Sequence, residues 1–219
     1  MSSRATSPPL SEPAAPGKGE ATRMRLIEAA HKLFLKQGFH GTSMRAIAEE
    51  AGLAVGGIYN HFGTKEDIFA AVLDAYHPYH TLLPALAETE GETVEAFVRD
   101  AARRVKANIE GAEVRVLPFM FIEMVEFQGR HAHALVKKLL PAFYDFVQRF
   151  TQRKGRLRQV PLPILLRTMM SLMLGYLLTE RILRGVKGLP HFESGAYNWF
   201  DGMIDIYLHG ILADEEAAA

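Results

Sequence analysis

Two helices that cross at close range need three things. They need a small residue at the point of contact, a glycine in the tight turn, and a branched apolar side chain anchoring the second helix. Ala48, Gly52 and Ile58 meet those needs at intervals of four and six residues. Ile47 and Ala51 extend the apolar face of the first helix, Leu53 lies near the turn, and Phe62 follows Ile58 by one helical turn. This spacing predicts a helix-turn-helix, and it restricts the chain more than any global property does.

The flanking segments agree. Leu26, Ala30, Leu33 and Phe34 recur at the interval of one helix face from Thr22 onward. Gly38 reads as the helix stop, with Phe39 folding back on the last turn. Thr42 reads as the N-cap of a helix over 43–51, and a short helix follows over 55–61. After Gly63, Thr64 caps a fourth helix whose first turn carries Glu66 and Asp67, suited to its dipole. Beyond Pro78 the rhythm lengthens into helices over about 93–109, 113–127, 131–153, 163–184 and 194–212, with breaks at Gly91, Gly111, Gly129, Gly155–Pro163 and Gly185–Pro190. No strand alternation of useful length interrupts them. The expected fold is all-α: a flexible arm over 1–19, a helix-turn-helix DNA-binding domain over 20–68, and a C-terminal helical bundle over 69–219.

The outer face of the short second helix offers Val55, Gly56, Gly57, Tyr59, Asn60 and His61. Small residues there permit close approach, and the polar ones reach phosphates or base edges. At this point the chain resembles the TetR family of repressors. Residues 39–53 are similar to the first half of that family's signature, and 56–69 to the second, including Tyr59-x-His61-Phe62 and the Lys65-Glu66 pair. The likeness covers about residues 22–70 and is architectural beyond them. It implies that Thr42, Ser43 and Arg45 open the first helix of the motif beside the DNA backbone. Val55, Gly56, Gly57, Tyr59, Asn60 and His61 would belong to the recognition helix, and Lys65 would meet a phosphate. Two departures stand out: Ala54 occupies the usual serine cap, and Val55 and Gly57 replace the more usual Lys and Thr. Direct base contacts are therefore expected to be few, with DNA shape supplying the rest of the specificity.

The second half is rich in Met and aromatics, which form a core first of all and also suit a pocket for apolar ligands. Phe119, Met120, Glu123, Phe127, Tyr144, Met170 and Met173 are the candidate effector-binding residues, Glu123 as a polar anchor or equally as a surface or interface residue. The last two helices carry broad apolar stripes. Leu165, Leu166, Met169, Met170, Leu172, Met173 and Tyr176 form one, and Trp199, Met203, Ile206, Tyr207 and Ile211 the other. Two copies of the pair would make a two-fold four-helix interface, as the resemblance also implies. The expected partners are operator DNA, a small-molecule effector and a second copy of the chain.

Several classes are disfavoured. The chain lacks cysteine, which rules out a disulfide framework and a Cys-based zinc site and suits a reducing cytoplasm. His77 and His80, or His131 and His133, do not converge as a metal pair, so no metal or cofactor is expected. No phosphate loop or nucleophile elbow is visible, so no enzyme is expected. The apolar stretch Leu162–Leu183 carries Arg167, Glu180 and Arg181 and reads as a buried helix of a soluble protein, not a membrane span. Lysine plus arginine and aspartate plus glutamate both number 25, so any basic footprint must be local.

Overall fold

The computed structural model describes residues 17–111, 116–155, 157–183, 186 and 198–212. The arm up to residue 16, with Arg4, lies outside them. So do the expected helix start at 113–115, most of the break over 185–190, and the chain end from 213. The elements are α1 (Lys18–Gln37), α2 (Met44–Glu50), α3 (Val55–Ile58), α4 (Lys65–Tyr76), α5 (Tyr79–Ala87), α6 (Val94–Gly111), α7 (Val116–Glu126), α8 (Ala132–Thr151), α9 (Leu162–Leu183) and α10 (Trp199–Ile211). Among the described residues the only β pairing is two isolated bridges, Thr93 with Lys154 and Leu157 with Leu212. The fold is all-α.

The chain forms two compact units. One holds residues up to His77 together with Arg115–Leu135, and the other holds Pro78–Val114 and Val136–Ala219. These units are described by packing and run across the expected 68/69 cut. The rest of α4, all of α7 and the first turn of α8 join the helix-turn-helix.

In the first unit α1 buries Leu26, Ile27, Ala30, Leu33 and Phe34. It starts at Lys18, earlier than expected, with the Thr22 hydroxyl donating to the Lys18 carbonyl at 2.9 Å and Glu20 in its first turn. Gly38 ends the helix at a φ of +75°, which glycine adopts without steric cost. α4 packs along α1 through Ile68, Phe69, Val72 and Leu73. Phe69 sits among four other phenylalanines, with ring centres 5.8 Å from Phe34, 5.6 Å from Phe39, 6.2 Å from Phe119 and 4.7 Å from Phe127.

The second unit is built on Val94, Phe97 and Val98 of α6, Phe150 of α8, Leu165 and Tyr176 of α9, and Phe200, Ile204 and Leu208 of α10. The Tyr207 hydroxyl donates to the Leu165 carbonyl at 3.1 Å inside this core. α5 was not anticipated. Its apolar face, Tyr79, Leu82, Leu83 and Leu86, is only half-buried, and Pro78 and Pro84 make the segment read as a break. Its C-terminal carbonyls are satisfied instead by Arg149, which donates to Leu86 and Ala87.

Two expectations about the last helices change. Of residues Leu162–Glu180 only 11% are buried, although the segment is long and apolar enough to cross a membrane. And part of the anticipated interface faces inward: Leu165, Tyr176, Tyr207 and Ile211 belong to the chain's own core. Among the described residues of these two helices, the large apolar side chains left open are Ile164, Met170, Leu174 and Ile182 of α9 with Trp199 and Ile206 of α10, the last 74% exposed. α9 is apolar around most of its circumference, so its sequence does not distinguish an inner from an outer face.

Burial pushes the Tyr207 phenol from its ordinary 10.0 up to about 12. The folded state thus favours the neutral phenol. Its contribution is complete below pH 10 and is lost as pH rises through the folded value. Chemical unfolding at rising alkaline pH should show a steeper loss of stability for the wild type than for Tyr207→Phe. Parallel curves would remove Tyr207 as the source.

Candidate nucleic-acid interface

α2 begins at Ser43, whose hydroxyl accepts from the Ala46 N–H at 3.1 Å. The expected cap, Thr42, is one residue early. Thr42 is buried, and its hydroxyl donates to the Gly38 carbonyl at 2.8 Å, closing the loop after α1. α2 presents Ile47 and Ala48, both without exposed surface, to the equally buried Ile58 of α3. The turn between them uses Gly52 at a φ of +66°, and the Leu53 N–H donates to the Ala48 carbonyl at 2.8 Å. The Arg25 guanidinium donates to the Ala51 carbonyl and lies 3.2 Å from where a Cβ on Gly52 would stand. Arg25 thus fastens the turn to α1, a role not legible from its place on a helix.

α3 is a single turn, shorter than the expected 55–61. Ala54 supplies no side-chain cap at its start, and beyond Ile58 the chain continues as turns, with the His61 and Phe62 N–H groups both donating to the Ile58 carbonyl at 3.0 Å. Tyr59, Asn60 and His61 stand on the turn that follows it. With Ile58 and Phe62 buried beneath, the surface displays Val55 at 39% and Tyr59 at 56% exposure, with Gly56 and Asn60 also exposed and Gly57 and His61 half-buried. This face carries hydroxyl, amide and imidazole groups beside a bare backbone. It can meet a groove edge by hydrogen bonds and a thymine methyl by apolar contact.

Arg45 is exposed and pairs with Glu49 at 2.8 Å, and that hydrogen bond raises its pKa. Exposed pairs of this kind are worth little in water, so the guanidinium can exchange its partner for a phosphate. Lys65 behaves otherwise. Its ammonium donates to the Phe39 carbonyl at 2.6 Å and the Thr42 carbonyl at 2.7 Å, and lies 4.2 Å from the centre of the Phe39 ring. Burial lowers its pKa. Beside it, Thr64 and Asp67 form a reciprocal capping box at the start of α4, with bonds of 3.1 and 2.8 Å.

The candidate effector residues are divided between the two units. In the first, Phe119 stacks on His31 at 5.0 Å, and Phe127 packs on Phe39 at 4.9 Å. Glu123 is buried, and its carboxylate accepts from the backbone N–H of His131 at 2.6 Å and of Ala132 at 3.0 Å, and meets the His131 ring at 2.8 Å. It caps α8 and is not a free anchor. Met120 is half-buried on α7. In the second unit Tyr144 and Met170 are 65% and 62% exposed, while Met173 packs against the core.

A helix-turn-helix with an open polar reading face, carried by helical units, defines a DNA-reading regulator fold. The model of bacterial regulatory proteins of the tetR family matches residues 26–72. The chain is 40% identical over 75 residues to the HTH-type transcriptional regulator TtgR of Pseudomonas putida, a match covering 34% of this chain and 36% of that one. Over 164 residues it is 24% identical to the regulator AcrR of Shigella flexneri, covering 73% of this chain and 76% of that one. Among solved structures, NalD of Pseudomonas aeruginosa, the secondary repressor of the MexAB-OprM multidrug efflux pump, shares the fold. Its TM-score is 0.59 at 21% identity, over 90% of this chain and all of that one. Residues 26–72 thus carry the DNA-reading module of the tetR family, and the fold beyond them is shared with solved regulators of that kind.

A Cβ built on Gly56 or Gly57 meets no atom within 4 Å. Neither glycine is needed by the free fold, and glycine in a helix costs roughly 0.5–1 kcal/mol relative to alanine. Gly56→Ala and Gly57→Ala should therefore each raise the unfolding free energy by roughly that amount. A fall in stability in denaturant titrations would show an unseen packing demand.

Proposed function

We propose that the protein is a dimeric transcriptional regulator, a repressor that binds a near-palindromic operator and is released by an apolar or amphipathic small molecule. The observation that carries this reading is the division of α3 and its following turn. Ile58 and Phe62 are sunk in the head while Val55, Tyr59 and Asn60 face outward and are exposed. In this reading Val55, Gly56 and Gly57 enter the major groove. Tyr59, Asn60 and His61 reach base edges or phosphates, and Ser43 and Arg45 reach the backbone.

Dimerisation is supported by α9. A helix with mean hydropathy 1.5 over Leu162–Glu180 and so little buried surface is stable in water only when covered. A second copy related by a two-fold axis would cover Ile164, Met170, Leu174 and Ile182 together with Ile206 of α10. Relatives of this fold lend the effector class. NalD represses a multidrug efflux pump, and EbrR, a multidrug binding protein, has TM-score 0.57 at 16% identity. Tyr144 and Met173 of the second unit are the side chains we assign to such a ligand. A cytoplasmic location follows from the role.

Duplexes selected by the wild-type protein from a random-sequence pool provide the test. Tyr59→Ala and Asn60→Ala should each weaken binding to the selected sequence by about 1–3 kcal/mol at fixed salt and relax its specificity. Gly57→Ala should weaken it too, despite its gain in stability. Failure to select any sequence, or full tolerance of these changes, would sink the reading.

A further inference from the structure

Lys65 is half-buried beneath the loop that joins α1 to α2. Its ammonium bridges two backbone carbonyls, Phe39 at 2.6 Å and Thr42 at 2.7 Å, and lies against the Phe39 ring at 4.2 Å. Two of its three N–H donors are thereby engaged, and both bonds are charge-assisted and short. The held carbonyls lie in the loop that leads into α2. Thr42 is buried, and it immediately precedes Ser43, the cap of α2. Phe39 in turn packs on Phe34, Phe69 and Phe127. The lowered pKa of Lys65, caused by burial, fits an ammonium turned into the protein and away from solvent.

We infer that Lys65 is a positioning residue for DNA recognition. It clamps the α1–α2 loop to the first turn of α4 and so sets the α2–α3 reading pair, instead of serving as a direct phosphate contact. This inference rests on the DNA-binding reading above. The two roles differ in their response to salt. A side chain that neutralises a phosphate releases a counterion, so its loss lowers the slope of log K against log salt by about one. A clamp acts through the loop and leaves the number of neutralised phosphates unchanged.

Two variants separate the alternatives. Lys65→Met keeps the apolar stem and removes all donors, while Lys65→Gln removes the charge and keeps two N–H donors for the carbonyls. In full-length protein without DNA, amide hydrogen exchange at Met44–Ile47 should accelerate in Lys65→Met and be at least partly restored in Lys65→Gln. Protection at Leu33 and Phe34 should persist and report an intact head. On a duplex selected by the wild type, Lys65→Met should bind at least about tenfold more weakly with the wild-type salt slope, and Lys65→Gln should recover part of that loss.

A slope reduced by about one in both variants, with α2 exchange unchanged, would overturn the inference and restore Lys65 as a phosphate contact. Unchanged exchange and unchanged affinity would overturn it as well. If no duplex is selected by the wild type, the DNA-binding reading fails, and the exchange result still decides whether the clamp exists. If Lys65→Met does not fold, Lys65→Gln decides alone, by its salt slope and α2 protection.

Discussion

The ring of Phe69 holds the reading head together. It lies without exposed surface where α1, the loop after it, α4, α7 and the start of α8 converge, in contact with Phe34, Phe39, Phe119, Phe127 and His131. Aromatic pairs at these separations add about 0.5–1.5 kcal/mol each beyond area burial. The helix-turn-helix alone is too small to bury such a cluster. It therefore takes in α7 and the corner that follows, and the compact unit runs well beyond the motif.

That corner grips the head at polar points as well. His40, on the loop after α1, meets Glu126 at 2.6 Å, and Arg130 meets Glu66 in the first turn of α4 at 2.8 Å. The His131 ring lies between Glu123 at 2.8 Å and Glu66 at 3.3 Å. These contacts reach the same loop and the same first turn that Lys65 joins. The orientation of α2 and α3 is thus fixed from α4 and from α7 together, while the outward side chains Val55, Tyr59 and Asn60 are left exposed. A short reading element that is firmly supported and sparsely charged fits recognition by a few contacts and by DNA shape.

The head was largely legible in the sequence because its determinants are local. Ala48, Gly52 and Ile58 encode their packing by spacing alone, and Thr64 with Asp67 announces a helix start. What escaped notice depends on partners distant in sequence. Glu123 reads as an acidic residue in an apolar run, and only the turn through Gln128, at a φ of +52°, and Gly129 carries it to the N–H groups of α8. The partners of Lys65 are backbone carbonyls 23 and 26 residues away, which no pattern of side chains records. α9 failed for another reason. Hydrophobicity alone does not say whether a face is covered by its own chain or by a second one.

The most direct measurement is chemical footprinting of a selected duplex with the wild-type protein, combining hydroxyl-radical cleavage of the backbone with methylation of guanine N7 in the major groove. The expected result is two protected major-groove segments on one face of the DNA, related by a two-fold axis and separated by about one helical turn, roughly 34–36 Å, or a multiple of it. A single protected segment, or protection confined to the minor groove, would contradict a dimer reading DNA through α3.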